Sequence, residues 1–164
     1  MIEAAAILAR QDYHFELYFI GNSNAHLEEK ATKLGLLNRV IFIKPSVSYE
    51  EVANQMKVSS ALLLFSRFEN LPCVLLEALC CGLPVISSRV GGINEIVNET
   101  NGILVSSENV QELATAMKHM MENYSGYNRT RISEEAIGIF NYPAIGGLYY
   151  DWYKKITNDL VGSG

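Results

Sequence analysis

Ser66-Arg-Phe-Glu69-Asn-Leu-Pro72-Cys-Val-Leu-Leu-Glu77-Ala-Leu-Cys-Cys-Gly82-Leu-Pro84-Val-Ile86 reads as a strand end, a loop, a helix, a tight turn and the next strand. Pro72 suits a first helical turn, where an amide hydrogen would have no intrahelical partner, and Gly82 is placed for a left-handed carboxyl-terminal cap. The spacing predicts a helix over about 71–81. Glu69 then lies on the loop ahead of that helix, and Glu77 falls in its second turn among Leu76, Ala78 and Leu79. An ionised carboxylate in apolar company is costly unless donors reach it, so Glu77 is expected to face a polar cleft or to be bonded by other protein groups. Two vicinal sugar hydroxyls would supply such donors, and so would the amides of a neighbouring loop. Amides around Asn70, Leu71 and Cys73 would offer partial positive charge to an anion such as phosphate. Glu69 would repel that anion, which points it at an uncharged sugar beyond; an acid near a helix N-terminus is also favourable without any ligand.

Working outward, five short runs are apolar almost throughout: Phe15-Glu-Leu-Tyr-Phe-Ile20, Val40-Ile-Phe-Ile43, Ala61-Leu-Leu-Leu-Phe65, Pro84-Val-Ile-Ser87 and Gly102-Ile-Leu-Val105. Continuous rather than alternating apolar character is what a parallel strand covered on both faces requires. Helical segments fall between them. Ser48-Tyr-Glu-Glu51 fits a capping box that starts a helix over about 49–57. Val110, Leu113, Ala114, Met117 and Met121 recur at helical spacing over about 108–123, with the two methionines read as core. Pro143 suits another first turn, after which Ile145, Leu148, Tyr149, Trp152, Tyr153 and Ile156 form one apolar and aromatic stripe that is expected to be covered. This alternation predicts an α/β fold, a doubly wound parallel sheet with right-handed crossovers. Ligands in such sheets sit beyond the carboxyl ends of the strands, so the loops of interest begin at Gly21, Lys44, Ser66, Ser87 and Ser106.

The 164 residues suffice for one ordinary domain, and 49% hydrophobic against 19% charged side chains excludes a disordered tail. A formal charge of −5 argues against nucleic acid as a partner. The densest apolar stretch, residues 71–86, is broken by Glu77, Gly82 and two prolines and falls short of the roughly 20 residues that span a bilayer. Three cysteines cannot form a paired disulfide framework, and His14, His26 and His119 fall in no ligand spacing, so a reduced cytosolic compartment and no structural metal are expected. The chain opens in a helix-forming run with no strand ahead of it, as if it started within a unit. Gly162-Ser163-Gly164 reads as a tag remnant or as a frayed native end.

With these residues in place, the sequence resembles the C-terminal, donor-binding half of glycosyltransferase family 4 (group 1) enzymes, whose GT-B fold faces two Rossmann-like domains. Glu69 and Glu77 match the two acids of that family's E-x7-E motif, followed by Glu77-Ala-Leu-Cys-Cys-Gly-Leu-Pro-Val-Ile86, Gly91-Gly92-Ile-Asn-Glu95-Ile-Val97 and Asn101-Gly-Ile-Leu-Val105. The resemblance covers residues 15–125 and continues plausibly into the aromatic final helix. It implies a nucleotide-sugar-binding domain over 1–161, with the first strand, a basic pair that neutralises the leaving diphosphate and the acceptor-binding N-terminal domain all upstream of Met1. It implies that Glu69 contacts the donor hexose and the reacting centre, that Glu77 takes the ribose hydroxyls, and that Asn70, Leu71, Pro72 and Cys73 line the sugar and diphosphate. Gly21 would border the phosphates, and Lys44 to Val47 the base. Ser66 and Arg67 complete the expected site, Arg67 and Arg89 as phosphate contacts or as solvated surface charges.

Such enzymes retain anomeric configuration and work without metal or other cofactor on a UDP- or GDP-linked sugar; the chain has no Asp-x-Asp pair. Three departures bear on the donor, one of them being Lys44 or Pro45 where the family commonly has a glycine after the second strand. The family's Glu-Gly-Phe-Gly reads Glu69-Asn-Leu-Pro72, a variant associated with capsule and surface polysaccharide enzymes, and its Gly-x-Gly after the first strand reads Gly21-Asn-Ser. The implied activity is transfer of a hexose to a saccharide or lipid-linked acceptor, by an enzyme in the cytoplasm or peripheral at the inner membrane face, with this chain inactive alone. Two other readings stand beside it: a sugar-nucleotide epimerase of related fold, and a non-catalytic nucleotide-binding module using the final helix as an interface.

Overall fold

Among its described residues, 1–22 and 25–161, the computed structural model runs α1 (Ile2–Arg10), β1 (Leu17–Ile20), α2 (Ala25–Lys33), β2 (Ile41–Lys44), α3 (Tyr49–Val58), β3 (Leu62–Leu64), α4 (Cys73–Cys80), β4 (Val85–Ser88), α5 (Ile93–Ile96), β5 (Gly102–Val105), α6 (Val110–Asn123), α7 (Arg129–Phe140) and α8 (Tyr142–Val161). The expected tag remnant, 162–164, lies outside the described residues. Local chemistry sets several of these boundaries. Ser48 and Glu51 form the capping box of α3: the Glu51 amide donates to Ser48 Oγ at 3.2 Å and the Ser48 amide to Glu51 Oε2 at 2.9 Å. Those donors, the Ser48 amide foremost, hold the Glu51 carboxyl below its ordinary range. Asn109 caps α6 by accepting from the Glu112 amide, so that helix begins at Val110.

The stop of α4 is a Schellman turn. Gly82 adopts φ +69°, its amide donates to Leu79 O and the Leu83 amide donates to Ala78 O, both at 2.9 Å. Pro72 stands one position earlier than a first-turn residue, as the N-cap of α4, which spans 73–80 rather than 71–81. Without a side chain or amide hydrogen able to cap, Pro72 leaves the first amides of α4 uncapped.

All strand pairings are parallel, as the apolar runs require, but the sheet is in two pieces. β1 pairs with β2, Leu17 opposite Ile41; β3, β4 and β5 pair in that order, Leu62 opposite Val85 and Val85 opposite Gly102. The three-stranded piece is covered on both faces. Leu63, Ile86 and Val105 pack with Leu8 of α1 and Leu113, Met117 and Met120 of α6. Leu62, Leu64, Val85 and Leu104 pack with Met56 of α3, Leu75 and Leu79 of α4, Ile93 of α5 and Ile132 of α7. Each fully buried leucine contributes about 2 kcal/mol.

The two-stranded piece is covered on one face, where Leu17, Phe19 and Ile41 meet Ile2, Ala5 and Ala6 of α1 and Ala31 of α2. On its other face Tyr18 stacks on Phe42, both half-buried, against the expectation of strands covered twice. Helix α1 contributes to both clusters and so joins the two pieces.

The expectation for α8 is corrected. Ala144 and Ile145 are half-buried near its start, where α8 adjoins α7, but Leu148, Tyr149, Trp152, Tyr153 and Ile156 are all exposed. The stripe exists; among the described residues nothing covers it. No helix among the described residues is long and apolar enough to cross a membrane.

Candidate functional site

The carboxyl ends of β3, β4 and β5 send three loops to one place, with the Ser66–Pro72 segment in the middle. Ser66 Oγ donates to Glu69 Oε1 at 2.8 Å, which fixes the half-buried carboxylate on its own loop. From the β5 side, Ser107 Oγ donates to Ser66 O at 3.1 Å, and Arg67 Nε meets Glu108 Oε1 at 2.8 Å. From the β4 side, the Gly92 amide donates to Asn70 O at 2.7 Å. Asn70, Leu71 and Cys73 are exposed. At the start of α4 the Leu75 amide turns back to Pro72 O at 3.1 Å, which leaves the Cys73 and Val74 amides without intrahelical acceptors and free to meet an anion.

Glu77 projects from the solvent side of α4, one turn beyond Cys73, while Leu75, Ala78 and Leu79 form the buried side. It is exposed, so it carries none of the desolvation that its apolar sequence neighbours suggested and no partner is forced on it. What remains is an accessible carboxylate on the helix that follows Glu69. Arg67 is exposed and pairs with Glu108 on the loop after β5.

Gly21, Lys44 and Val47 form a second group at the ends of β1 and β2. The Gly21 amide donates to Lys44 O at 3.2 Å, and Ser46 Oγ lies 3.1 Å from Asn22 Oδ1, which ties the two loops together. Lys44 stands 4.4 Å from the centre of the Tyr18 ring and 3.4 Å from Gln55 Oε1, and Val47 is half-buried. The structure thus unites Ser66, Glu69 and Asn70 to Cys73 around the start of α4, and Gly21 with Lys44 around the end of β1.

Sequence reasoning assigned no role to Ser107 and Glu108, although it marked their loop by its position. Glu108 holds φ +63°, a left-handed conformation that costs a glutamate about 1 kcal/mol. Its ion pair with Arg67 is largely exposed and offsets only a few tenths of that. Glu108→Gly is therefore expected to raise the thermal midpoint by about 2 °C in a melt followed by circular dichroism.

Comparison with known proteins gives a consistent result. The model of the family described as "Glycosyl transferases group 1" matches residues 1–138. Alpha-D-kanosaminyltransferase of Streptomyces kanamyceticus is 30% identical over 162 residues, which covers 94% of this chain and 41% of that protein. The Vi polysaccharide biosynthesis protein VipC/TviE of Salmonella typhi is 32% identical over 106 residues, 64% of this chain and 18% of that protein. The chain therefore spans less than half the length of either relative. Among solved structures, the HepE protein of Anabaena in complex with UDP superposes with a TM-score of 0.81 at 21% identity, covering 94% of this chain and 44% of that one. Sucrose-phosphate synthase of Thermosynechococcus elongatus gives 0.82 at 22%, covering 96% and 42%. These likenesses show the fold, an α/β, Rossmann-like half of a GT-B architecture.

Proposed function

Since the chain belongs to the group 1 glycosyl transferases, we propose that it is the donor-binding, C-terminal half of a retaining, metal-independent enzyme that moves a hexose from a UDP- or GDP-linked sugar to a saccharide or lipid-linked acceptor. The observation that carries this reading is Glu69 fixed by Ser66 at the mouth of the uncapped α4 amides, with Glu77 accessible on the same helix. In this reading Glu69 takes hexose hydroxyls near the reacting carbon, Glu77 the ribose, and the α4 amides the diphosphate as it leaves with added negative charge. Gly21 borders the phosphates, and Lys44 and Val47 the base. Arg67 must give up Glu108 to reach phosphate, which an exposed pair permits at small cost.

The divided sheet and the uncovered α8 support a remainder of the enzyme that supplies a further strand and an acceptor-binding domain. With that remainder absent, this chain binds donor without turning it over. The polysaccharide role in the name of the Salmonella relative supports an acceptor of that class, and in this reading the enzyme works in the cytoplasm or peripheral at the inner membrane face. The transferase family sets the epimerase alternative aside. Titration of the isotopically labelled chain with UDP and GDP tests the reading: amide shifts are expected in loops 44–47 and 66–73, and their absence at millimolar ligand would overturn it.

A further inference from the structure

The Gly91-Gly92 pair belongs to no role assigned so far, yet its backbone lies directly against the Glu69–Asn70 segment of the site. Three observations converge on it. The Gly92 amide donates to Asn70 O at 2.7 Å. A Cβ added to Gly91 would overlap Glu69 O and lie 2.8 Å from Asn70 O; one added to Gly92 would lie 3.1 Å from Asn70 O. Gly91 also holds φ +54°, a left-handed conformation. The two glycines therefore let the turn between β4 and α5 seat directly against the peptide that joins Glu69 to Asn70.

From this we infer that Gly91 and Gly92 are positioning residues for donor binding: they set the height of the Glu69–Asn70 peptide, and through it the aim of the Glu69 carboxylate and the Leu71 and Cys73 amides at the hexose and diphosphate. The inference rests on the donor-binding reading above. Ser66, held by Ser107, fixes the carboxylate from one side, and the glycine pair fixes its backbone from the other. Glu77 is anchored by α4 itself, eight residues along, so the ribose end of the site does not depend on the pair.

Separate explanations of Gly91 make different predictions. If only its left-handed turn mattered, Gly91→Asn would be tolerated, because asparagine visits that region readily. If the approach to Glu69 matters, asparagine and alanine are equally harmful. Gly92→Ala is the milder variant, since its neighbour need give only a few tenths of an ångström, and it keeps the test valid should Gly91 variants fold poorly.

The experiment is calorimetric titration of the chain and its variants with UDP-glucose and GDP-mannose, with UMP and GMP as controls, alongside thermal melts. For whichever base the parent binds, Gly91→Ala and Gly91→Asn are each expected to weaken sugar-nucleotide binding about tenfold, with the monophosphate changed by less than about twofold. Gly92→Ala is expected to show the same selectivity at about threefold with an unchanged thermal midpoint. Combining Gly92→Ala with Glu69→Gln should add little to Glu69→Gln alone, as for groups acting through one contact. Parent-like binding by Gly91→Asn and Gly92→Ala, or equal weakening of all ligands, would overturn the inference while leaving the donor-binding reading intact. A parent chain that binds none of the four would overturn both.

Discussion

Glu69→Gln is expected to lower turnover of the full-length enzyme by about a hundredfold or more, whereas Glu77→Gln is expected chiefly to raise the donor KM by about tenfold. Glutamine is the informative replacement at position 69 because its amide oxygen can still accept from Ser66 Oγ, so the loop keeps its shape while the charge is lost. An acid that faces the reacting carbon acts where positive charge develops, and its removal is felt in the transition state more than in the ground state. Glu77 stands on the solvent side of α4; in the proposed reading it takes ribose hydroxyls that do not change during transfer, so its loss would weaken substrate and transition state alike. Steady-state kinetics with varied donor separate the two roles. Equal loss in kcat and KM for both variants would contradict them.

Arg129→Ala is expected to cost about 3 kcal/mol of stability, a fall of about 9 °C in thermal midpoint for a chain of this size. The half-buried guanidinium donates to Gly82 O and Ser59 O at 3.0 Å, to Met56 O at 3.3 Å and to the Tyr124 hydroxyl at 2.8 Å. Those carbonyls belong to the ends of α3 and α4, where unpaired acceptors and the helix dipoles both favour a cation. No carboxylate lies against Arg129 among the ion pairs of the described residues, so its partners are three backbone carbonyls and the Tyr124 hydroxyl, all of which lose a charged donor in the alanine variant. Lysine keeps the charge but not the planar fork, and Arg129→Lys is expected to recover about half of the loss. Urea unfolding followed by circular dichroism measures both.

What the sequence discloses and what it hides divide along a physical line. Proline and glycine carry local backbone meaning, so Pro72, Gly82 and Pro84 located α4 and its turn to within two residues, and the capping box did the same for α3. Apolar runs revealed the parallel strands β3, β4 and β5 because coverage on two faces leaves its mark on every residue, while the same pattern in β1 and β2 did not disclose that they are covered on one face only. Arg129 left no such mark: its backbone acceptors lie 47, 70 and 73 positions away, and nothing local betrays them. The exposure of Glu77 stayed hidden because neighbours in sequence are not neighbours around a helix. Leu76, Ala78 and Leu79 flank it in order, yet the buried side runs through Leu75, Ala78 and Leu79. Periodicity likewise disclosed the stripe on α8 but not its coverage, which depends on what else is present. At the site, residue types and spacing pointed to Glu69, while its fixation by Ser66 and the approach of the glycine turn are matters of tertiary contact.

The uncovered stripe has a practical bearing on spectroscopy. Trp152 is the sole indole in the chain and stands on that stripe, 55% exposed. Its fluorescence starts from a largely hydrated ring, so emission will shift little as the core melts and will underreport unfolding of the β3–β5 sheet. The same ring becomes a sensitive beacon for anything that settles on α8, with a blue shift marking the moment of contact.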